Sequence, residues 1–412
     1  MIRQEHTAPS IYPARWADLE AKAREGIQRW LQDLLEAEVA EFLDRPRYAR
    51  RAASTPERVF RNGHGKPRQL SLTSGTVTVR RPRIRGLEER FESRILPMFA
   101  RRTEEVAALI PELYLHGLAL RDFDLALRGL LGDAAPLSPA SVARLKARWQ
   151  NDYEAWRQSP ITEEVVYLWA DGIYVKAGLE KEKAALLTVI AGMRDGTKRV
   201  LAVSSGYRES KDSWAEVLRE LVARGMNVPK LVIADGHLGL WAALAELGWK
   251  CGEQRCWNHK MRNVLDVMPK KEQPAAKEMM SAMQSAETRE ETERLRDRFV
   301  AKYRERAPKA CEKLMRDWER VMSFYSFPKE HWKHLRTSNV VESPFAAVRL
   351  RTGASKRFKR VENAEAIIWK LLLVSEKSFR KLNAPHLLAE VAAGVVFENG
   401  IRKTNNSQAH AA

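Results

Sequence analysis

The stretch YLWADGIYVKAG, residues 167–178, holds one carboxylate, that of Asp171, inside an otherwise apolar run. The apolar and aromatic residues on both sides of it predict a buried β-strand. Removing a carboxylate from water costs several kcal/mol or more unless a partner compensates its charge. The rest of the sequence therefore has to supply the compensating group.

Beyond residue 161 the sequence predicts three strands, a helix, a strand, a helix and a last strand. This is the element order of a ribonuclease-H-like core, and it predicts an α/β fold. The charged segment 260–330 has helical spacing and predicts an all-α insertion. The core is then formed by residues 161–259 and by residues 331–400.

A second carboxylate, Asp235, ends the fourth of these strands in LVIADG. The first and fourth strands of such a sheet are neighbours, so Asp171 and Asp235 are expected side by side. Without a cation they would repel each other, and one pKa would rise sharply. Mg²⁺ prefers carboxylate oxygens, and a pair of metal ions can assist phosphoryl transfer. The pair predicts a divalent metal site, with a helix-capping role for Asp235 as the simpler alternative.

The metal site needs a third carboxylate, and Glu342 in TSNVVESPFAAVRLRT is the candidate. It is the only acid between Arg336 and Arg360. On a continuous helix, Arg349 would lie on the same face as Glu342, next to a bound phosphate. A surface glutamate without a special role is the alternative.

A group of cysteines and histidines follows the last predicted strand. Cys251, Cys256 and His259 lie in CGEQRCWNH, and His237 lies upstream. This composition suggests zinc, but only three such residues lie close together and no matching cysteine pair occurs elsewhere. Support of the neighbouring carboxylates is the preferred interpretation for Cys256 and His259.

Length and composition limit the class of protein. The chain has 412 residues, enough for two or three domains, and 44% of them are hydrophobic. We find no apolar run near 18 residues and no secretory signal at the start, so no membrane association is expected. Three cysteines suit a reducing compartment, which predicts a cytoplasmic location.

The net charge of +18 is concentrated in two segments. Residues 45–102 contain 16 Lys and Arg against 4 acids, and residues 336–360 contain 7 against 1. The remaining chain is neutral. Such localisation favours a polyanionic partner, and a solvated basic surface is the alternative.

Residues 1–102 are predicted to form a basic region with a β-hairpin. A helical pattern covers residues 15–43, and LSLTSGTVTVRRPRIRG, residues 70–86, alternates about a Ser-Gly turn. Pro82 keeps the exit of this hairpin out of a sheet centre. Arginines on an extended arm suit phosphates or a minor groove, which makes candidates of Arg80, Arg81, Arg83 and Arg85.

Residues 103–160 are predicted to form a helix-turn-helix-like DNA-binding domain. Three helical pieces occur, and the third starts with the N-cap Ser138 and Pro139. An ordinary helical bundle fits the pattern almost as well, and the basic neighbour favours DNA. Candidate contacts in the third helix are Ser141, Arg144 and Arg148, and those in the second basic segment are Arg351, Lys356 and Arg357. Residues 401–412 are expected to be a disordered tail.

From about residue 30 to residue 390 the sequence resembles the Mutator-type transposases of bacterial insertion sequences. The resemblance is carried by FRNGHGKPRQLSLTSGTVTVRRPRIRG, ADGIYVK, LVIADGHLGL, RCWNHKMRNVLDVMPKK and FPKEHWKHLRTSNVVES. It implies a DDE transposase with two Mg²⁺ or Mn²⁺ ions on Asp171, Asp235 and Glu342. Cys256 and His259 match the family's Cys-x-x-His element beside the active site.

The resemblance also implies a substrate and an assembly. The substrate would be double-stranded DNA, at the element's ends and at the target. Water would attack a phosphodiester at the ends, and the freed 3′-hydroxyl would then attack another phosphodiester. A homodimer or larger assembly on DNA, in the nucleoid of a bacterial cytoplasm, is expected.

One departure from the family pattern lies at the glutamate. Many members continue with Glu-Arg-Leu-Asn or Glu-Ser-Leu-Asn, whereas Glu342 is followed by SPFAAVRLRT. Pro344 suits a helix that starts near Ser343 but would kink one already under way. The helix boundary and the local DNA contacts depend on this point more than the catalytic role does.

Three other functions are compatible with parts of this pattern. They are a catalytically inactive, transposase-derived DNA-binding protein, a ribonuclease-H-like nuclease, and a structural nucleoid protein. The presence of all three acids favours an enzyme, and a preference for element ends would favour a transposase over a nuclease.

Overall fold

The computed structural model describes residues 16–49, 59–88, 91–97, 100–118, 122–131, 139–177, 183–206, 208–355 and 357–403. The chain divides into two compact units, Met1–Leu145 and Lys146–Ala412. The division lies inside the helix Pro139–Arg157, earlier than the boundary expected at residue 160. The predicted domain 103–160 is therefore shared between two units.

The first unit contains a long helix, two small antiparallel sheets and further helices. Its elements are α1 (Trp16–Phe42), β1 (Phe60–His64), β2 (Arg68–Leu72), β3 (Gly75–Val79), β4 (Pro82–Arg85), α2 (Glu104–Leu115), α3 (Asp122–Leu131) and the start of α4 (Pro139–Arg157). β2 and β3 form the predicted hairpin, and β4 pairs with β1. Pro82 lies at the end of that pairing, where its missing N–H removes no central ladder bond.

Helix α1 packs against the hairpin because one of its faces is apolar. Leu35 is buried with Leu70, Val77 and Val79 of the strands. Two glutamines of α1 extend the contact with hydrogen bonds. The amides of Thr78 and Arg80 donate to Gln28 Oε1 and Gln32 Oε1, each at 2.9 Å, so the outer edge of β3 is covered.

The second unit begins with a mixed five-stranded sheet and the two helices between its strands. After the end of α4 come β5 (Val165–Val175), β6 (Ala184–Met193), β7 (Lys198–Gly206), α5 (Lys211–Ala223), β8 (Leu231–Ala234), α6 (Leu238–Glu246) and β9 (Gly252–Arg255). The sheet order is β7-β6-β5-β8-β9. β7, β6 and β5 are antiparallel neighbours, and β8 and β9 run parallel to β5. The element order predicted from the sequence is confirmed.

The remainder of the second unit is almost entirely helical. Its helices are α7 (Trp257–Leu265), α8 (Gln273–Ser285), α9 (Arg289–Tyr303), α10 (Pro308–Met315), α11 (Trp318–Met322), α12 (Trp332–Leu335), α13 (Asn339–Glu342), α14 (Phe345–Ser355), α15 (Val361–Glu376) and α16 (His386–Ala392), with 3₁₀ turns at Lys270–Glu272, Ser323–Ser326 and Lys329–His331. The helical character predicted for residues 260–330 is confirmed.

The predicted start of the disordered tail, at residue 401, is wrong. Ile401–Arg402 forms a strand, β11, that pairs with β10 (Phe397–Glu398). The Gly400 amide donates to Tyr325 O at 3.1 Å, and this bond attaches the turn between the two strands to the protein. Residues 404–412 lie outside the described residues.

The two faces of the sheet are covered by different helices. Leu168 and Ala170 of β5 lie in one core with Trp214 of α5 and Trp241 of α6. Side chains alternate along a strand, so Trp169 points to the other face. There its Nε1 donates to His334 O at 3.0 Å, and α13 packs against β5 and β6. Asp171 follows the same alternation and belongs to the face of α13.

One buried glutamine joins the edge strand β9 to the helical segment. Gln254 is fully buried, and its Nε2 donates to Arg255 O and to Val321 O. Its Oε1 accepts from the Phe324 amide at 2.7 Å. The side chain thus satisfies backbone groups that would otherwise be buried without partners.

We predict that Gln254→Leu destabilises the protein by about 2–4 kcal/mol, because it leaves buried backbone donors and acceptors unsatisfied at about 1–3 kcal/mol each. Urea unfolding followed by circular dichroism measures the change. The exposed Gln158→Leu is the control and should stay within about 0.5 kcal/mol of wild type. Equal stability of both variants would contradict this role of Gln254.

Candidate active site

Asp171 and Asp235 lie side by side at the centre of the sheet. β5 and β8 are parallel, and Ala170 is paired with Ala234. Asp171 is the next residue of β5, and Asp235 follows directly after the end of β8, so the neighbouring strands that the sequence predicted are confirmed. The close pair results from the sheet order alone.

Asp171 is nearly buried, at 9% exposure. Its Oδ1 accepts a hydrogen bond from the Gly172 amide at 2.8 Å. Opposite it on β6 lies Thr188, whose buried hydroxyl has no hydrogen-bond partner among the described residues. One backbone hydrogen bond leaves most of the acceptor capacity of the carboxylate unused.

Burial, together with the negative charges of Asp235, Glu209 and Glu342, raises the pKa of Asp171 to about 7, and the hydrogen bond from Gly172 acts in the opposite direction. Like charges in a desolvated site disfavour ionisation of each other. The ionised form of Asp171 is therefore disfavoured in this site.

Asp235 accepts a hydrogen bond from the His237 amide at 2.8 Å, directly before α6. The N-cap of α6 is His237, and the bond to Asp235 closes the turn before the helix, so the helix-capping alternative is wrong. Asp235 Oδ1 is used in this bond, which leaves Oδ2 as a further acceptor.

Glu342 reaches the site from α13, the short helix that packs on the face of Asp171. The Ser338 hydroxyl, one turn earlier, donates to Glu342 Oε1. The same oxygen lies 3.7 Å from His259 Nδ1. Two groups therefore hold this carboxylate in one orientation.

Cys256, His259 and Glu342 form a compact group at the start of α7. Cys256 Sγ, one ring nitrogen of His259 and one carboxylate oxygen of Glu342 all lie within 4.8 Å of one another. A hydrogen bond with Cys256, together with the charges of Cys256, Glu342 and Asp235, raises the pKa of His259 to about 9 against the effect of burial. A protonated His259 supplies one positive charge beside the carboxylates.

The group differs from the zinc alternative drawn from the sequence. Its third member is Glu342, and neither Cys251 nor His237 belongs to it. A cysteine, a histidine and a carboxylate are nevertheless donors that zinc accepts. The contact with Glu342 fits the preferred interpretation, in which Cys256 and His259 support the carboxylates.

Glu209 is a residue of the site that sequence reasoning missed. It lies between β7 and α5 and is 5% exposed. Burial and the charge of Asp235 raise its pKa, while His237, a hydrogen bond with Tyr174, and His259 lower it. In the sequence it is one acid in a polar stretch before a helix, and no periodicity marks it.

The expected position of Arg349 above Glu342 is wrong. α13 ends at Glu342, Ser343 and Pro344 form a turn, and α14 starts at Phe345. Because Pro344 interrupts the helix, the seven-residue spacing does not place Glu342 and Arg349 on one helix face. Arg349 is an exposed residue of a different helix.

The other candidates of the second basic segment differ in exposure. Arg351 is 3% exposed, so its side chain is not presented to a phosphate in this structure, contrary to expectation. Arg357 is exposed, and Lys356 lies outside the described residues.

The predicted DNA contacts of the first unit lie largely on its surface. Arg80, Arg83 and Arg85 are exposed, whereas Arg81 is half-buried and donates to Phe91 O at 3.1 Å. In α4, Arg144 is exposed and the side chain of Ser141 lies outside the described residues; Arg148, on the part of α4 in the second unit, is also exposed. The connection between α3 and α4 is not described, so the helix-turn-helix stays a prediction.

None of the helices described in the structure is both long enough and apolar enough to cross a membrane.

Comparison with known proteins identifies the family. The chain belongs to the Mutator family of transposases, whose family model matches residues 13–381. It is 41% identical over 296 residues to the transposase for insertion sequence element IS6120 of Mycolicibacterium smegmatis, covering 72% of this chain and 92% of that protein. It is 40% identical over 279 residues to the transposase for IST2 of Acidithiobacillus ferrooxidans, covering 67% and 94%. The family resemblance predicted from the sequence is confirmed.

More distant relatives extend over more of the chain. The transposase for ISRM5 of Rhizobium meliloti is 28% identical over 364 residues, which cover 87% of this chain and 89% of that protein. The function is accordingly that of a transposase, an enzyme class that cleaves and transfers DNA.

We predict that Asp171→Asn stabilises the metal-free protein at pH 8 by about 2–4 kcal/mol. The folded state binds the Asp171 proton more tightly than the unfolded chain, whose pKa is about 3.9, so stability falls as the pH rises from about 4 to 7. At pH 4 the side chain at position 171 is neutral in both folded proteins, and their free energies of unfolding should be nearly equal. Urea unfolding in EDTA at both pH values measures the difference.

Asp195→Asn is the control of opposite sign, because hydrogen bonds from Thr197 lower the pKa of Asp195. It should not gain stability at pH 8. A wild-type protein as stable as Asp171→Asn at pH 8 would mean that the Asp171 carboxylate is already compensated without metal.

Proposed function

We propose that this transposase is a DDE enzyme with a ribonuclease-H-like core, in which Asp171, Asp235 and Glu342 hold two divalent metal ions. The observation that carries the proposal is the desolvated pair Asp171 and Asp235 on adjacent strands, joined by Glu342 from a distant helix. The sheet order, with three antiparallel strands followed by two parallel ones, supports the core assignment.

The donor set fits Mg²⁺ or Mn²⁺. Carboxylate oxygens are hard ligands, and each of the three side chains keeps at least one acceptor position unused. Thr188 adds a buried hydroxyl without a partner beside Asp171. When bound, the ions would supply a nucleophilic oxygen and stabilise the attacking and leaving oxygens of the phosphodiester.

The chain's own residues hold and orient the site. Asp171 and Asp235 have a fixed separation because their strands share one ladder. Ser338 and His259 orient the Glu342 carboxylate, the first through a hydrogen bond and the second through a close contact between the imidazole and the carboxylate. Cys256 in turn holds His259 through their hydrogen bond. His259 and Cys256 are thus positioning residues.

The basic segments suit the substrate. Exposed arginines on the short strand β4 match the phosphates of double-stranded DNA, both at the ends of the element and at the target. Synapsis of two ends requires two active sites, so we propose a homodimer or larger assembly on DNA. We propose that the same basic segments associate the protein with the nucleoid.

We predict that Asp171→Asn, Asp235→Asn and Glu342→Gln each reduce Mg²⁺-dependent cleavage of an inverted-repeat end by about 1000-fold or more. Loss of a metal ligand removes several kcal/mol of transition-state stabilisation, and 1.36 kcal/mol is a factor of ten. Gel analysis of a labelled end with flanking DNA measures cleavage, and footprinting of the same end measures binding. Binding should persist, and the exposed Asp195→Asn should cleave normally.

Unchanged cleavage by Asp171→Asn would overturn the assignment. Protection of the ends without any cleavage by wild type would favour an inactive DNA-binding protein. Cleavage without preference for the ends would favour a nuclease.

We predict that Arg83→Ala and Arg85→Ala each weaken end binding at all sequences and reduce the slope of log K against log salt by about 1. Each removes one phosphate contact and the counterion released with it. Lys277→Ala, on the exposed surface of α8, is the matched control and should leave the slope unchanged. Equal slopes for all three variants and wild type would indicate that the arm is a solvated surface.

A further inference from the structure

Glu209 is placed beside Asp171 by close packing on a glycine. A Cβ atom added at Gly172 would lie 2.5 Å from Glu209 Oε1, so only glycine leaves room for this carboxylate. The amide of the same glycine donates to Asp171 Oδ1. The two carboxylates therefore flank one residue of β5.

A second glycine makes room for the backbone of Glu209. A Cβ atom at Gly239, in the first turn of α6, would overlap the carbonyl group of Glu209. Two glycines from different elements thus accommodate one acidic residue. A packing role would not need an acid at this point, since an apolar side chain is easier to bury.

The backbone before Glu209 is also strained. Arg208 has a φ of 57°, in the left-handed region that non-glycine residues rarely adopt. Such a conformation persists where the surrounding structure determines it.

Glu209 completes the site from a direction that Glu342 cannot reach. Glu342 comes from α13, on the face of Trp169, whereas Gly172 alternates onto the face covered by α5 and α6. The charge of Glu209 acts on both Asp171 and Asp235. Carboxylates thus approach the sheet centre from both of its sides.

We propose that Glu209 is a fourth carboxylate of the metal site and binds a divalent cation together with Asp171 and Asp235. This inference rests on the proposed metal-dependent function. It assigns to the loop between β7 and α5 a direct part in holding the cation, in addition to the three acids of the DDE set.

Binding of Mn²⁺ to the full-length protein at pH 8, without DNA, tests the proposal. Electron paramagnetic resonance of free Mn²⁺ gives the affinity. Glu209→Gln keeps the shape of the side chain and removes its charge, and we expect the affinity to fall about 10–100-fold. Circular dichroism verifies that the variant is folded.

A matched control separates metal binding from the loss of a buried charge. Glu365 is also 5% exposed, and its Oε1 accepts from the Ser205 amide at 2.6 Å, so Glu365→Gln removes an equally buried charge elsewhere and should bind Mn²⁺ normally. A loss of affinity with Glu365→Gln equal to that with Glu209→Gln would overturn the proposal in favour of a structural role.

Asp171→Asn in the same titration separates this inference from the proposed function. If Asp171→Asn weakens Mn²⁺ binding and Glu209→Gln does not, the assignment of Glu209 as a metal ligand is wrong and the proposed DDE site stands. If neither variant changes the affinity, both proposals fail. Should Glu209→Gln not fold, Glu209→Asp takes its place, because it withdraws the carboxylate by one methylene, and wild-type affinity would overturn the proposal.

Discussion

The desolvated carboxylate of Asp171 is the constraint on which the rest of this structure depends. It lies on the central strand of a five-stranded sheet, next to Asp235, and its pKa is raised to about 7. A sheet built only for stability would carry an apolar residue at this position, because burial of like charges opposes folding. The surrounding elements are arranged so that these charges share one place.

Segments far apart in the chain converge there for this reason. α13 carries Glu342 to one face of the sheet, and the loop before α5 carries Glu209 to the other. His259 and Ser338 orient Glu342. The helical segment between β9 and α12 separates His259 from Ser338 in the sequence, and contacts such as those of Gln254 attach that segment to the sheet. Burying these carboxylates at the sheet centre lowers stability, and the buried apolar faces of β5 and β6 offset that loss.

The sequence was sufficient for the sheet and for the two aspartates. Runs such as VVYLWA and LVIA are apolar and short, with turn residues between them, so their strands and order follow from local pattern. An acid in such a run is unusual, which makes Asp171 and Asp235 candidates for the site. Glu342 is a candidate because it is the only acid in a basic segment and because the family resemblance supports it.

What the sequence left unresolved depends on contacts between distant residues. Helical spacing suggested one face for Glu342 and Arg349, but Pro344 ends the helix between them. Arg351 is a candidate DNA contact because it lies in a basic segment, yet tertiary packing buries it. Glu209 has no local signal, since its position follows from Gly172 and Gly239, two residues in other elements. The division of the chain inside α4 could not be seen because a helical pattern continues across it.

The most direct measurement of the central claim is the anomalous scattering of Mn²⁺ in crystals of this protein with a cleaved element end. We predict anomalous peaks bounded by the carboxylates of Asp171, Asp235 and Glu342. Peaks only at Cys256 and His259, or none within reach of Asp171, would contradict it.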